Sequence, residues 1–274
     1  MLFFVIATVE GREEYVRKLV SSIKYQFANF EKTIVIGRQF KLQHVEFDGT
    51  VTLQFRFYNA SRARNLCVQR VKSLATDTSW FFFPDDDCIY SSAPHRALFE
   101  DPCVIIAGDV RNIYDLNVMG GRFVSNKQRF LLNKSYFKLS CPRFVISGKL
   151  INNCRFPEDV GPGCWRCALE ETYMFFNFVT NLREKVYVIH TPDLILLHAP
   201  NDLQALEKHY RYGLSQGSFL RYLMARNILD SGKYILVLLR PFVGFILRFK
   251  DPLFRNYYIA RIRGIIHGIK KPVS

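Results

Sequence analysis

No stretch of this 274-residue chain is apolar for the ~20 residues that a membrane-spanning helix needs. The longest candidate, Tyr234 to Phe249, is interrupted by Arg240-Pro241 and by Arg248. Leu2 to Ala7 is apolar but has no charged leader and runs into Glu10-Gly11-Arg12-Glu13-Glu14, so it is read as a strand and not as a signal peptide. Cysteine offers no framework. There are seven, an odd number without disulfide-like spacing, which favours a reducing compartment. Cys164-Trp165-Arg166-Cys167 is a lone C-x-x-C, with only Cys154 as an obvious third ligand, too few for a structural zinc. Glycine is sparse where a phosphate-cradling loop would be early in the chain; only Gly11 stands there. There is no internal repeat, no low-complexity segment and no recognisable nucleic-acid module, so nucleic acid is not an expected partner. Acidic residues are outnumbered, 24 Asp and Glu against 38 Lys and Arg.

The resulting formal charge of +14 implies a polyanionic partner such as phosphate-rich substrates or an anionic membrane surface. The charge is uneven. From Ala205 to Ser274 there are 13 Lys and Arg but 3 Asp and Glu, so +10 of the +14 lies in the last quarter. Aromatic residues are abundant, with 25 Phe and 14 Tyr, and 49% hydrophobic content is ample for a core.

Periodicity indicates an α/β chain. Buried strands are expected at Leu2–Thr8, Thr33–Ile36 (ended by Gly37), Val51–Phe57, Trp80–Phe83 and Val104–Ala107. Between them lie an amphipathic helix with Val16, Leu19, Val20, Ile23 and Phe27, and a helix capped at Asn59-Ala60-Ser61. Ser92-Ala93-Pro94 is expected to open a short helix. This alternation predicts a largely parallel sheet over the first ~110 residues. Later expectations are strands at 129–132, 143–146 and Val186–Ile189, a helix after Gly163 that includes Ala168 and Leu169, and helices from Leu203 on with breaks at Gly213–Gly217, Ser231-Gly232, Pro241 and Pro252.

The triplet Asp85-Asp86-Asp87 follows the apolar run Trp80-Phe81-Phe82-Phe83-Pro84. Carboxylates emerging at a strand's C-terminal end lie where open α/β sheets bind ligands. Adjacent carboxylates repel unless a cation sits among them, and hard divalent cations bridge carboxylates to substrate phosphates. A solvated acidic turn is the plainer alternative. Three further features stand in order. Thr8-Val9-Glu10-Gly11-Arg12 ends the first strand at a helix start, where N–H groups and an Arg can meet phosphate. Ser61-Arg62-Ala63-Arg64-Asn65 precedes the Asp strand. Phe156 to Gly163 leads to Glu170-Glu171-Thr172, a carboxylate pair that either complements a helix dipole or supplies a general base.

With these residues, together with Gly161-Pro162-Gly163, His198-Ala199-Pro200 and Tyr212 to Gly217, the chain resembles bacterial nucleotide-sugar-dependent glycosyltransferases of the inverting family 2, with the GT-A fold, of the capsule, O-antigen and surface-glycan type. The resemblance spans about residues 2 to 220. It implies a catalytic domain over 1–201, with a nucleotide-binding half (1–110) and an acceptor-side half (111–201), followed by a basic amphipathic helical extension over 202–274. By that resemblance Thr8, Arg12, Arg64, Asp85 and Asp86 contact the donor nucleotide. Asp87, Asp85 and His198 hold a divalent cation, Mn²⁺ or Mg²⁺, with His190 the rival to His198. Glu171 is the catalytic base and Glu170 orients the acceptor, roles that are open to exchange.

The implied reaction moves a sugar from a nucleoside-diphosphate donor, a UDP-sugar foremost, to a hydroxyl of a glycan or lipid-linked acceptor. Two positions depart from the family. The Asp that reads uracil after the second strand is replaced near Ile36-Gly37-Arg38, and the Gly before the acidic pair is Leu169. The alternatives are a sugar-phosphate nucleotidyltransferase, which the missing Gly-rich loop disfavours, and a non-catalytic membrane-associated scaffold. In the tail, aromatic and aliphatic residues interleave with Arg and Lys, as at Phe219 to Leu223, Ile246 to Lys250 and Ile259 to Arg263. That pattern suits a membrane interface, a cover for the core or a homo-oligomer contact. The expected location is cytoplasmic, peripheral on the inner face of the cell membrane.

Overall fold

The computed structural model describes residues 1–39, 49–56, 59–101, 104–119, 129–132, 139–181, 185–200, 202–226 and 231–270. Its strands are β1 (Leu2–Thr8), β2 (Lys32–Gln39), β3 (Val51–Phe55), β4 (Trp80–Phe82), β5 (Ile89–Ser92), β6 (Val104–Asn112), β7 (Arg129–Leu131), β8 (Phe144–Ser147) and β9 (Tyr187–His198). Its helices are α1 (Glu13–Gln26), α2 (Ala60–Val71), α3 (Gly148–Ile151), α4 (Glu170–Asn181), α5 (Leu206–Ala225), α6 (Ser231–Leu247) and α7 (Pro252–Lys270). The chain divides into two compact units, Met1–Glu158 with Glu171–Pro200, and Asp159–Glu170 with Asn201–Ser274.

The first unit is built on one mixed sheet of order β3-β2-β1-β4-β8-β6-β9-β5, with β7 also paired to β9. The strands β3, β2, β1 and β4 are mutually parallel, as the helix-strand alternation predicts. Beyond them β8 runs antiparallel between β4 and β6, and β6 returns parallel to β9. β1 is buried at every position because helices cover both faces of a parallel sheet. α1 shows why. Val16, Leu19, Val20 and Ile23 fall at i, i+3, i+4 and i+7 and are all buried, with Phe4, Ile6 and Phe82 in the same core cluster. Phe27, just past its end, meets Phe4 and Phe82 edge-on at 4.9 and 5.3 Å between centroids. Each such buried side chain contributes about 1.5–3 kcal/mol. Glu13 and Glu14 at the helix start and Lys24 at its end complement its dipole.

Several local expectations shift. β2 continues through Gly37, where a Cβ would lie 3.0 Å from Ala63 Cβ and Cys67 Sγ, so the glycine admits α2 and does not end the strand. Ser92 closes strand β5, and the short helical turn comes later, at Arg96–Phe99. β9 is much longer than Val186–Ile189. Its first half pairs with β7 and its second half with β5, and both halves pair with β6 across an irregularity between Ala107 and Asp109. At that irregularity a Cβ on Gly108 would lie 2.6 Å from the Leu194 carbonyl oxygen, so only glycine fits. Phe57 and Asn201, which bounded two of the expected segments, lie outside the described residues.

In the second unit the expected breaks at Gly213–Gly217 and Pro241 are not breaks. α5 runs through both glycines and α6 through the proline. The reason is close packing. A Cβ on Gly213 or Gly217 would sit 2.1 or 2.0 Å from the carbonyl oxygen of Arg261 or Ile265, and one on Gly264 or Gly268 would strike Tyr210 or Leu214 of α5. The two helices run parallel with their backbones in contact along this seam. Arg221 closes it by donating to the last carbonyls of α7, Ile269 and Lys270, at 3.1 and 2.9 Å. Pro252 does open a new helix, at the first helical position that proline favours. Among the described residues no helix is long and apolar enough to cross a membrane.

Candidate functional site

β1 and β4 lie side by side, and both end at the same edge of the sheet. Ala7 forms a bridge to Asp85, so the triplet begins level with the end of β1. The backbone then turns tightly, with Cys88 N–H donating to the Asp85 carbonyl at 3.1 Å. The three carboxylates fan out to different partners. The Thr8 hydroxyl donates to Asp86 at 2.6 Å. The Arg12 guanidinium stands between Asp86 and Asp87, 2.7 Å from each. Arg64 Nη2 reaches Asp85 at 3.1 Å. His198, the last residue of β9, brings Nε2 to 3.2 Å from Asp87. Thr8, Arg12, Arg64, Asp85, Asp86, Asp87 and His198 are therefore brought together, although they come from four separate segments. His190, the rival histidine, lies elsewhere in β9 and is bonded to Asp109 at 2.9 Å in a buried pair.

Electrostatics separates the carboxylates. Burial pushes the Asp87 carboxyl up, but His198 and Arg12 outweigh it and hold it well below the usual carboxylate range. Burial also raises Asp86, and there it prevails over the Thr8 hydrogen bond and Arg12. The hydrogen bond to Asp87 raises the His198 imidazole against the opposing effect of burial. The site thus holds one carboxylate that resists protonation beside one that accepts it more readily.

The donor set fits a divalent cation. Asp85, Cys88 and His198 each offer a ligand atom, all within 4.8 Å of one another, the one such grouping of three among the described residues. Oxygen and imidazole ligands suit Mn²⁺ and its neighbours, and a thiolate turns preference toward softer ions. Asp87 touches this group through His198. Cys88 was not singled out in the sequence; it packs in the apolar core, where burial lifts its thiol well above its ordinary value. The available signal was its place one residue after the triplet.

α2 explains the Ala63-Arg64-Asn65 segment. Asn59 caps the helix by accepting from Arg62 N–H at 2.9 Å, and its amide donates to the Glu158 carbonyl at 2.5 Å. Asn65 binds the same strand of chain three ways. It donates to the Phe156 carbonyl (2.9 Å) and the Glu158 carboxylate (3.2 Å), and it accepts from Phe156 N–H (3.0 Å). Phe156 in turn lies beneath the Arg64 guanidinium, 5.5 Å from its ring centroid. The asparagines thus seat the segment that seats Arg64. Asn65→Ala is expected to lower stability by about 1–3 kcal/mol, because it strands the Phe156 amide groups, and thermal unfolding measures it. An unchanged melting temperature would show that the tether carries no weight.

Glu170 and Glu171 are the first two residues of α4, and both are buried. The helix starts at Glu170, two residues later than Ala168, because Leu169 has φ +74°, in the left-handed region that glycine favours. Leucine holds that conformation here at a cost of about 1–2 kcal/mol. Gly161 and Gly163, with φ +104° and +96°, shape the loop ahead of it. Arg38, near the end of β2, is buried and ion-paired to Glu13.

No protein-family model and no curated protein matches the chain. Solved structures do. Residues 1–349 of TarS from S. aureus superpose with TM-score 0.52 at 12% identity, over 95% of this chain and 90% of that one. The same fragment in complex with UDP gives 0.53 at 15%, with the same coverage. The mannosyltransferase PcManGT from Pyrobaculum calidifontis, in complex with GDP-Man and Mn²⁺, gives 0.56 at 13%, over 97% of this chain and 86% of that one. The likeness is one of fold, the GT-A fold of glycosyltransferases.

Proposed function

We propose that this protein is a metal-dependent glycosyltransferase of the inverting family-2 type. It moves a sugar from a nucleoside-diphosphate donor to a hydroxyl of a glycan or lipid-linked acceptor in cell-surface polysaccharide synthesis, on the inner face of the membrane. One observation carries the reading. The C-terminal ends of β1, β4 and β9 gather three carboxylates, two guanidinium groups and an imidazole, in a fold shared with proteins solved with UDP and with GDP-Man and Mn²⁺.

Asp85, Asp87 and His198 would hold the cation, with Cys88 at its border. A bound cation neutralises charge that develops on the leaving diphosphate. Arg12 and Arg64 supply fixed positive charge facing the same donor, and their carboxylate partners keep them oriented before it arrives. Asp86, fastened by Thr8 and Arg12, holds the end of β1 against the triplet. Glu171 takes the proton of the acceptor hydroxyl, and Glu170 orients that acceptor. A single base suffices for one displacement with inversion.

The base of the donor is open, because Arg38, near the position that the resemblance gives to a uracil-reading acid, only donates hydrogen bonds and is ion-paired to Glu13. Calorimetric titration with UDP, GDP, CMP and dTDP, in Mn²⁺ and in EDTA, tests the proposal. The expected result is binding of one nucleoside diphosphate that EDTA removes. Folded protein that binds none of the four would overturn the donor reading.

A further inference from the structure

We propose that α6 is the element that inserts into an anionic lipid surface, with α5 and α7 serving as its support. The inference deepens the reading of the basic tail as lipid-facing and does not depend on sugar transfer. In the sequence all three helices mix apolar and basic residues, with α6 the most apolar of them. In the structure α5 and α7 close on each other along the glycine seam, where Leu214 of α5 and Ile265 of α7 are buried; Phe219, Leu220 and Leu223 of α5 are buried as well.

α6 is different. Leu238 is buried, and Gly244 lies so close to the Tyr258 ring of α7 that a Cβ would approach within 2.4 Å. The opposite side carries Ile235, Leu236, Leu239, Val243, Ile246 and Leu247, all exposed. At 100° per residue these six occupy a stripe about 120° wide, with Leu236, Ile246 and Leu247 exposed by 67%, 73% and 76%. Soluble surfaces seldom leave so continuous an apolar stripe in water.

Charge identifies the occupant. From Ser231 to Lys250 there is no Asp or Glu. Arg240 and Arg248 are exposed on α6 and just past its end, and Lys250 follows. Asp251, which follows Lys250, is engaged in capping α7, accepting from Leu253 N–H at 3.0 Å. Phe249, 52% exposed, projects from the turn with the Arg255 guanidinium 5.8 Å from its ring. An apolar stripe with Arg240 at its edge, basic residues just past its end and an aromatic beside them matches a helix lying in the headgroup boundary, where the apolar face enters the acyl region and basic heads meet phosphates. A second copy of the chain is a poorer occupant, because a two-fold contact through this stripe would set the same cations against one another.

The test uses the full chain and phosphatidylcholine vesicles with and without phosphatidylglycerol. The wild type should sediment with the anionic vesicles only. Leu236→Ser/Leu239→Ser/Ile246→Ser and Arg240→Ser/Arg248→Ser/Lys250→Ser should each weaken binding by about 100-fold, with unchanged circular dichroism and melting temperature. In a Leu239→Trp variant, lipids brominated on the acyl chains should quench the added fluorescence. If the apolar triple variant binds as the wild type does while the basic one fails, insertion is overturned although the tail still faces lipid. If the wild type binds no vesicles, or forms dimers that the apolar variant abolishes, the inference fails and the stripe belongs to another contact.

Discussion

Asp87→Asn is expected to remove sugar transfer, by at least about 10³-fold, while the fold survives. Asparagine keeps one acceptor oxygen for Arg12, and its NH2 can donate to Nε2 of a neutral His198, so the geometry at the end of β4 has no reason to collapse. What it loses is the charge that a cation needs beside Asp85 and His198. The same carboxylate makes a stability prediction whose sign follows from its environment. His198 and Arg12 depress its folded value below the ordinary one despite burial. Its contribution is therefore present above the ordinary Asp pKa and fades as the pH falls toward the depressed value. In Asp87→Asn that part of the acid sensitivity should vanish. Donor binding measured with and without Mn²⁺ separates the two effects. Full activity in the variant would remove Asp87 from the metal site.

Glu171→Gln is expected to lower turnover by about 10³-fold and to leave binding of the nucleoside diphosphate intact, since a positioned base contributes roughly 10²–10⁴. Consecutive helical residues point about 100° apart, so Glu170 and Glu171 at the head of α4 cannot serve the same proton. If Glu170→Gln produces the loss of turnover and Glu171→Gln does not, the roles are exchanged. Equal, small losses in both would withdraw the base from α4 altogether. Single-turnover measurements with saturating donor distinguish these outcomes from a binding defect.

Local pattern carried much of the first unit. The apolar run before the triplet, the helical spacing of Val16 to Ile23 and the Asn59 cap depend on neighbours in sequence, and such features are written where they act. The meeting of Cys88 with His198 and the true length of β9 were not legible, because both join segments more than a hundred residues apart in part of their course. Gly213 and Gly217 misled for a related reason. Glycine weakens an isolated helix, but here its missing side chain is what lets α5 and α7 touch.

The sequence by itself determined an α/β chain, three carboxylates at a strand end and a strongly basic last quarter, because composition and short periodicities hold in any conformation. Only the tertiary structure decided that Arg12 serves two of those carboxylates, Arg64 the third, and His198 rather than His190 the cluster. It alone decided that α6 leaves a continuous apolar stripe exposed. Pairing and burial are properties of two surfaces at once, and one stretch of sequence describes only one of them.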